Sequence, residues 1–351
     1  DTDEWYTTYE TIADELRHYR KQFRGKVVLC NCDDPYESNF TYYFLKNFNI
    51  LRIKKLICTS YGASKIDTIK NNVQMVLPIE DEKGNPIVSR NGYVLEISRM
   101  PGKSDAEVDD ETIKEMLSRK GTVKKLKGDG DFRSDECIEY LKKCDICCTN
   151  PPFSLFASLF SLLMKYKKKF LLIGNQNAIT YKEIFPYIKE NKAWVGYHFG
   201  DMSFKVPSDT EPRKTRFWID EYGQKWRSLG NAMWLTNLDI PRRHKELILT
   251  QRFDPLVYPV FDDYDAINVS RVANIPMDYD GVMGVPITFL DKYNPNQFKL
   301  IGLGISNSGL EIGVKPYKPE HKKYRKEIQH KGAVDGDLYM LDKEGHPIVP
   351  Y

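Results

Sequence analysis

Apolar runs and amphipathic spacings alternate along the first half of the chain. Tyr9, Ile12, Leu16, Tyr19 and Phe23 recur at helical spacing, and Gly25 ends that helix. Val27-Val28-Leu29-Cys30 is a continuous apolar run of strand length. Asn39 to Phe48 predicts a second helix, rich in Phe and Tyr, and Lys54 to Thr59 a second strand. This alternation predicts a parallel sheet with helices on its faces. Residues 62–121 break the rhythm. Val73 to Ile79 and Ile87 to Ile97 flank the turn-rich Asp81-Glu82-Lys83-Gly84-Asn85-Pro86, which predicts a β-hairpin insertion, and an acidic helix follows near 109–119. The rhythm then resumes with a strand at Val123 to Leu126, a loop at Gly128 to Phe132 and a helix from Ser134 to Lys143. The strand Cys144 to Thr149, a helix over 155–166 and the strand Phe170 to Ile173 complete the unit. Beyond residue 190 only short strands are visible, at Ala193 to Phe199, Thr215 to Ile219 and Ala232 to Thr236. Residues 250–351 are rich in Pro, Asp, Tyr and Gly, with weak periodicity. The expected organisation is an α/β sheet domain over 1–200, interrupted at 62–121, and a mixed region over 201–351 partly packed on that sheet.

Composition narrows the class. The 351 residues are 41% hydrophobic and 29% charged, ordinary values for a globular protein with a sizeable core. No apolar stretch approaches the roughly 20 residues of a membrane span, and no signal peptide is visible. The seven cysteines are odd in number and lie mostly in apolar runs, which suits reduced core thiols in a cytoplasmic protein. Cys144-x-x-Cys147 and Cys30-x-Cys32 lack a matching pair or a His cluster, so no metal site is expected. The net charge of +3 permits a nucleic-acid partner without demanding one. Acid gathers at Glu80 to Glu82 and Asp105 to Glu115, whereas base gathers at Lys165 to Lys169, Arg213 to Arg216, Arg242 to Lys245 and Lys315 to Lys326. The second half is therefore the anion-binding half.

The most specific chemistry sits after the strand ending at Thr149, in Asn150-Pro151-Pro152-Phe153. Neither proline has an N–H and both have a fixed φ, so the local backbone offers acceptors and no donors. The Asn150 side-chain oxygen and the Pro151 carbonyl can each accept one hydrogen of a planar exocyclic NH2 group, while Phe153 stacks on the ring that carries it. That arrangement suits methyl transfer to the amine of a nucleobase. Asn-Pro-Pro also reads as a plain strand terminator. Two further polar loops follow strands in the order that a doubly wound sheet gives its ligand site. In Asn31-Cys32-Asp33-Asp34-Pro35 the carboxylates suit an ammonium. At Ser38-Asn39-Phe40 the helix start suits a carboxylate, and together they fit the amino-acid end of S-adenosylmethionine. Asp131 can accept from an adenine amine, with Phe132 beside the ring. Each loop alone also reads as a solvated turn.

These segments, together with Asp3-Glu4-Trp5-Tyr6-Thr7, Asp145 to Phe156, Ile179 to Glu183, Trp234 to Asp239, Tyr264 to Val269 and Tyr279 to Phe289, resemble the DNA adenine-N6 methyltransferases. The resemblance is closest to those of the EcoRI modification type, along nearly the whole length. It implies a Rossmann-like, S-adenosylmethionine-dependent fold with a C-terminal target-recognition region. It also implies methyl transfer to N6 of an adenine flipped out of double-stranded DNA, with GAATTC as the target. By the family pattern Tyr6 and Thr7 help close the cofactor pocket and Asn31, Asp33 and Asp34 hold the methionine end. Tyr61 follows the second strand, and Asp131 and Phe132 hold the adenine. A monomer is implied, in the bacterial cytoplasm at the nucleoid, paired functionally with a restriction endonuclease. Two loops depart from the pattern. Cys-Asn-Cys-Asp-Asp-Pro replaces a glycine-rich loop, and Thr59-Ser60-Tyr61 lacks the acid that holds ribose hydroxyls. Similar proteins continue beyond Pro350-Tyr351, so a basic tail is expected there. Candidates for DNA contact are Arg213, Lys214, Arg216, Arg242, Arg243, His244, Lys245 and Arg252, since Arg reads guanine bidentately and other cations bind phosphate. Trp218, Trp226 and Trp234 read as packing residues. Two rival readings remain: a methyltransferase of an RNA base or a protein glutamine, and a DNA-binding relative without activity.

Overall fold

The computed structural model describes residues 6–62, 91–206 and 208–350, with the backbone alone at Tyr6. The chain forms two compact units, residues 1–188 with 192–240, and 189–191 with 241–351.

The first unit is built on one sheet. In chain order its elements are β1 (Tyr6–Thr7), α1 (Tyr9–Leu16), β2 (Val27–Cys30), α2 (Asn39–Lys46), α3 (Phe48–Leu51), β3 (Lys55–Ser60) and β4 (Tyr93–Ile97). Then follow α4 (Asp110–Ser118), β5 (Val123–Lys125), α5 (Asp135–Lys143), β6 (Ile146–Thr149), α6 (Phe156–Lys165), β7 (Lys169–Asn175) and α7 (Phe185–Lys189). The last three strands are β8 (Trp194–Lys205), β9 (Phe217–Ile219) and β10 (Lys225–Thr236). The spatial order is β1-β8-β10-β7-β6-β2-β3-β4-β5, with β9 beside β10. Among the described strands of this sheet the pairs are antiparallel, except that parallel pairing joins β7, β6, β2 and β3. Their apolar runs are buried nearly throughout, as a parallel strand covered on both faces requires. On one face α1 and α2 bury Ile12, Leu16, Phe40, Tyr43 and Phe44 with Trp234 of β10. On the other, α6 lies so close that Phe156 would touch any Cβ at Gly174. The chain runs from β2 outward to β3, then returns to β6 on the opposite side of β2. The carboxyl ends of β2 and β6 therefore flank the point where the strand order reverses.

Several expectations change. Tyr93–Ile97, expected as a hairpin arm, is β4 and pairs antiparallel with β3, Ser60 opposite Tyr93. Val123–Lys125 is the edge strand, paired antiparallel with β4 and therefore running in the direction of β3 without touching it. Val73 to Ile79, the turn 81–86 and residues 87–90 lie outside the described residues. The first helix stops at Leu16 and a 3-10 turn, Arg20–Phe23, follows. The second breaks at Asn47, whose side chain donates to the Tyr43 carbonyl at 2.9 Å. Ala193 to Phe199 and Ala232 to Thr236 are ends of twelve-residue strands in the same sheet, while Thr215 to Ile219 holds only the three-residue β9, and the first compact unit runs on to Ile240. Gly200, with φ +129°, hides the continuity of β8 from a sequence reader.

The second unit carries little regular structure: β11 (Ile267–Asn268) parallel to β12 (Met283–Gly284), α8 (Ser306–Glu311), α9 (Pro319–Glu327), and β13 (Met340–Leu341) with β14 (Pro347–Ile348). It buries its own cluster around Tyr258, Ile267, Val269, Phe289 and Tyr293. Its cleft of about 930 Å³ includes Asn268, Tyr279 and Gly284 from the two motifs at 264–269 and 279–289. Among the described residues no helix is long and apolar enough to cross a membrane.

Candidate active site

β2 ends at Cys30, and its last peptides deliver a buried polar pair, Asn31 and Asp33. Asp33 accepts from the Ser38 hydroxyl at 2.6 Å and, on its other oxygen, from the Thr149 hydroxyl at the end of β6. Burial pushes the Asp33 carboxyl up to about 6, with Asp34 adding to the rise and the two hydroxyls opposing it. Asn31 accepts from the Cys147 thiol at 3.5 Å. Asp34 is used locally, its carboxylate taking the Tyr36 and Glu37 amides at 2.7 and 3.1 Å to close the loop. Ser38 caps α2, accepting from the Phe40 amide at 3.1 Å. Asn39 donates to the Thr7 carbonyl at 2.7 Å. The side chain of Phe40 turns into the core, edge to face with Trp234, and not toward a ligand.

Asn150 stands at the carboxyl end of β6, half-buried, and its Nδ2 donates to the Thr7 hydroxyl at 3.2 Å. Pro151 is buried, and Pro152 and Phe153 are half-buried. Leu155 donates to the Pro152 carbonyl at 2.9 Å, turning the chain into α6. Thr7 thus joins three pieces: α2 through Asn39, the Asn-Pro-Pro-Phe loop through Asn150, and β8 through its pairing with Phe204.

The loop 128–132 is set against the end of β3 by glycine. Gly130 has φ +85°, and a Cβ there would lie 2.1 Å from the Ser60 carbonyl oxygen. A Cβ on Gly92 would lie 2.6 Å from both Gly130 and Ser60. Gly62 donates to the Asp129 carbonyl at 2.7 Å, and Glu136 takes the Lys127 and Gly128 amides. The loop brings Asp131 and Phe132 to the same edge as exposed Tyr61, but Phe132 is buried. Arg133 engages both Asp131 oxygens and holds that carboxyl below its usual range. An adenine amine would have to share Asp131 with this guanidinium. Gly130→Ala is expected to cost at least ~1–2 kcal/mol from the left-handed backbone alone, before the clash with Ser60. Cofactor affinity falls with it. Thermal melting and calorimetry check this, and wild-type values in both would remove the role given to the glycine.

Sequence reasoning missed Thr149, read only as the end of a strand, because its partner Asp33 is 116 residues away. It also missed Ser60, whose buried hydroxyl has no hydrogen-bond partner among the described residues. All seven cysteines are free, and burial raises the thiols of Cys147 and Cys148.

The basic candidates divide between the units. In the first, Arg213, Lys214 and Arg216 are exposed in the segment between β8 and β9. In the second, the 3-10 turn Pro241–His244 carries Arg242, paired with Asp291 at 2.8 Å, and Arg243, which donates to Asn191 at 3.0 Å. Lys245 is exposed and its carbonyl accepts from Asn294. Arg252 stands 3.9 Å from Asp278 with 80% of its side chain exposed.

Residues 1–343 match the family model described as adenine-specific methyltransferase EcoRI. The chain is 45% identical over 325 residues to the type II methyltransferase M.EcoRI of Escherichia coli, covering 90% of this chain and 91% of that one. It is 38% identical over 305 residues to the type II methyltransferase M.MgeORF184P of Mycoplasma genitalium, covering 85% and 82%. It is 37% identical over 304 residues to M.MpnI of Mycoplasma pneumoniae, covering 85% and 81%. No solved structure matches the chain. With a family match over nearly the whole chain and a relative 45% identical over 90% of it, this chain belongs to the EcoRI family of adenine-specific methyltransferases.

Proposed function

We infer that this chain transfers a methyl group from S-adenosylmethionine to N6 of an adenine flipped out of duplex DNA, as the modification half of a restriction-modification pair. GAATTC is the proposed target, by likeness to M.EcoRI. The observation that carries the reading is the Asn150 amide, pinned by Thr7 beside buried Asp33 at the point where the strand order reverses. The polar groups at this edge fit the cofactor: a buried carboxylate for its ammonium, a capped helix start for its carboxylate, and an unpartnered Ser60 hydroxyl at the end of β3. When bound, the cofactor supplies an electrophilic methyl on a sulfonium. Asn150 Oδ1 and the Pro151 carbonyl accept the two N6 hydrogens and direct the nitrogen lone pair at that methyl. Phe153 stacks on the adenine, a contact worth ~1–3 kcal/mol per base. No side chain needs to be a strong base, because the alkylated amine is acidic and loses its proton to water. Positioning and electrostatics supply the rate. The protein acts as a monomer in the bacterial cytoplasm, with the endonuclease as a functional partner only.

Transfer from tritiated cofactor to pools of DNA, RNA and protein tests the reading. Label is expected in DNA alone, as N6-methyladenine. Label in RNA or in protein glutamine would move the chain to another substrate class, and cofactor-independent DNA binding without transfer would make it an inactive relative.

Site readout belongs to Arg243, His244 and Lys245 of the second unit, with Arg252 on phosphate. Arg242 holds the turn instead. Arg242→Ala is expected to lower stability by about 1 kcal/mol with no change in salt dependence, since Asp291 loses its 2.8 Å partner and keeps Lys292 at 3.7 Å. Arg252→Ala should flatten the plot of log affinity against log salt by about 0.9, equally on cognate and altered sites. The opposite pattern would exchange the two roles.

A further inference from the structure

β7 ends at Asn175, opposite Ala232, but β8 and β10 continue past it as a ribbon, from Leu229 opposite Met202 to Trp226 opposite Lys205. β9 joins the edge that β7 has left, with Trp218 opposite Trp226. One face of the ribbon is core, where Met202 and Phe204 are buried and Leu229 packs against the α1/α2 cluster. Lys205, Trp226 and Trp218 are direct register partners on the other face. The shift of register between Leu229 and Ala232 places an extra residue in β10, so this face is continuous with Met233, opposite Gly174, on the side covered by α6. The row therefore shares its sheet face and its end of the sheet with the loop that feeds α6. β1 lies beside the same end of β8, with Thr7 opposite Phe204 on the core face, where it takes the Asn150 hydrogen bond.

The face is built, not merely exposed. The Trp218 and Trp226 rings are parallel to within 2°, with centroids 6.0 Å apart. Asp220 accepts from the Trp226 indole at 2.8 Å, and the Lys205 ammonium lies 5.5 Å from the Trp226 ring. Trp218 remains 40% exposed. A hydroxyl row, Ser203 opposite Ser228, comes next. Beyond it Arg216, in the left-handed region at φ 55°, lays its guanidinium on Gly230 and pairs with Asp201 at 3.1 Å. A Cβ on Gly230 would lie 2.4 Å from both terminal nitrogens, so any larger residue there would displace the guanidinium from this position. Four residue steps of strand lead from Trp226 to Gly230, about 13 Å, or roughly four base steps along one DNA strand.

We propose that this ribbon face is a DNA-strand platform, in which Trp218, backed by Trp226, stacks on a base or sugar while Lys205 and Arg216 hold flanking phosphates. Cations at both ends of an aromatic and hydroxyl strip complement a polyanion with flat bases, and pairing an exposed indole with a cation is the chemistry of strand-binding surfaces. The proposal rests on the reading of the chain as a DNA methyltransferase. It adds a contact in the catalytic unit, separate from the basic turn of the second unit.

Trp218→Ala, Trp218→Phe and Lys205→Gln in the full chain test it, read by duplex affinity, salt slope and cofactor affinity. Trp218→Ala is expected to weaken duplex binding about tenfold or more, with cofactor affinity unchanged, and Trp218→Phe to restore most of the loss. Lys205→Gln should lower the salt slope by about 0.9. The cofactor titration checks that each variant is folded, and Lys205→Gln, on an exposed side chain, carries the test if the tryptophan variants fail to fold. Wild-type duplex affinity and slope in Trp218→Ala and Lys205→Gln would overturn the platform and leave the methyltransferase reading intact. Methyl transfer by the wild-type chain to RNA or protein, with none to duplex DNA, would overturn that reading and the platform with it.

Discussion

Asn150→Ala is expected to lower the single-turnover rate of methyl transfer by at least ~100-fold, about 2.7 kcal/mol in activation free energy. A positioned acceptor that meets the N6 hydrogen as charge develops is worth that much. Cofactor affinity is expected to change far less, because the role proposed for Asn150 is toward the acceptor base. The bond from Asn150 to Thr7 adds a graded control. Thr7→Val keeps the shape and removes the hydroxyl, so the amide loses its anchor but not its oxygen. A net hydrogen bond of ~0.5–1.5 kcal/mol sets the loss at roughly twofold to thirteenfold. Rapid-quench measurements at saturating DNA and cofactor separate the two variants. An Asn150→Ala enzyme that keeps half the wild-type rate would sink the amine clamp.

Asp33→Asn is expected to weaken cofactor binding by ~1.5–3 kcal/mol, the range for a hydrogen bond to a charged group. It should also remove a pH dependence. Burial raises the folded-state carboxyl to about 6, so the neutral form is favoured in the folded protein. Its contribution to stability is therefore present below the unfolded value near 4 and is lost as pH rises through about 6. A cofactor ammonium needs the ionised form and offsets the cost of burying it. Wild-type affinity then rises from pH 5 to about 7 and levels off, whereas Asp33→Asn is flat over that window. Calorimetry from pH 5 to 8 reads both curves. A flat wild-type profile would remove Asp33 from the ammonium site.

Local pattern was enough for the parts whose physics is local. Four apolar runs marked β2, β3, β6 and β7, because a strand covered on both faces must be apolar throughout. Ser134 marked the start of α5, where its side chain takes the Cys137 amide. Asn-Pro-Pro-Phe could be read as an acceptor-only loop from the chemistry of proline alone.

Strand direction and sheet order were not legible, because period-two patterning says which face is buried and not which neighbour lies alongside. Tyr93–Ile97 therefore read as a hairpin arm until its register with β3 placed it in the main sheet. The length of β8 and β10 was hidden for the same reason. Past residue 200 only one face is core, so Met202 and Phe204 alternate with Asp201, Ser203 and Lys205. Site residues sorted likewise. The sequence by itself determined which loops carry acceptors and carboxylates. Tertiary structure decided that Thr149 serves Asp33, that Thr7 serves Asn150, that Arg133 occupies Asp131, and that Phe40 belongs to the core. Three of these four outcomes need residues far apart in the chain to meet, and such meetings are fixed by burial and strand register rather than by propensity. Asp131 and Arg133 are two residues apart, yet their pairing depends on a loop conformation that Gly130 and Gly92 allow only by touching the backbone of Ser60.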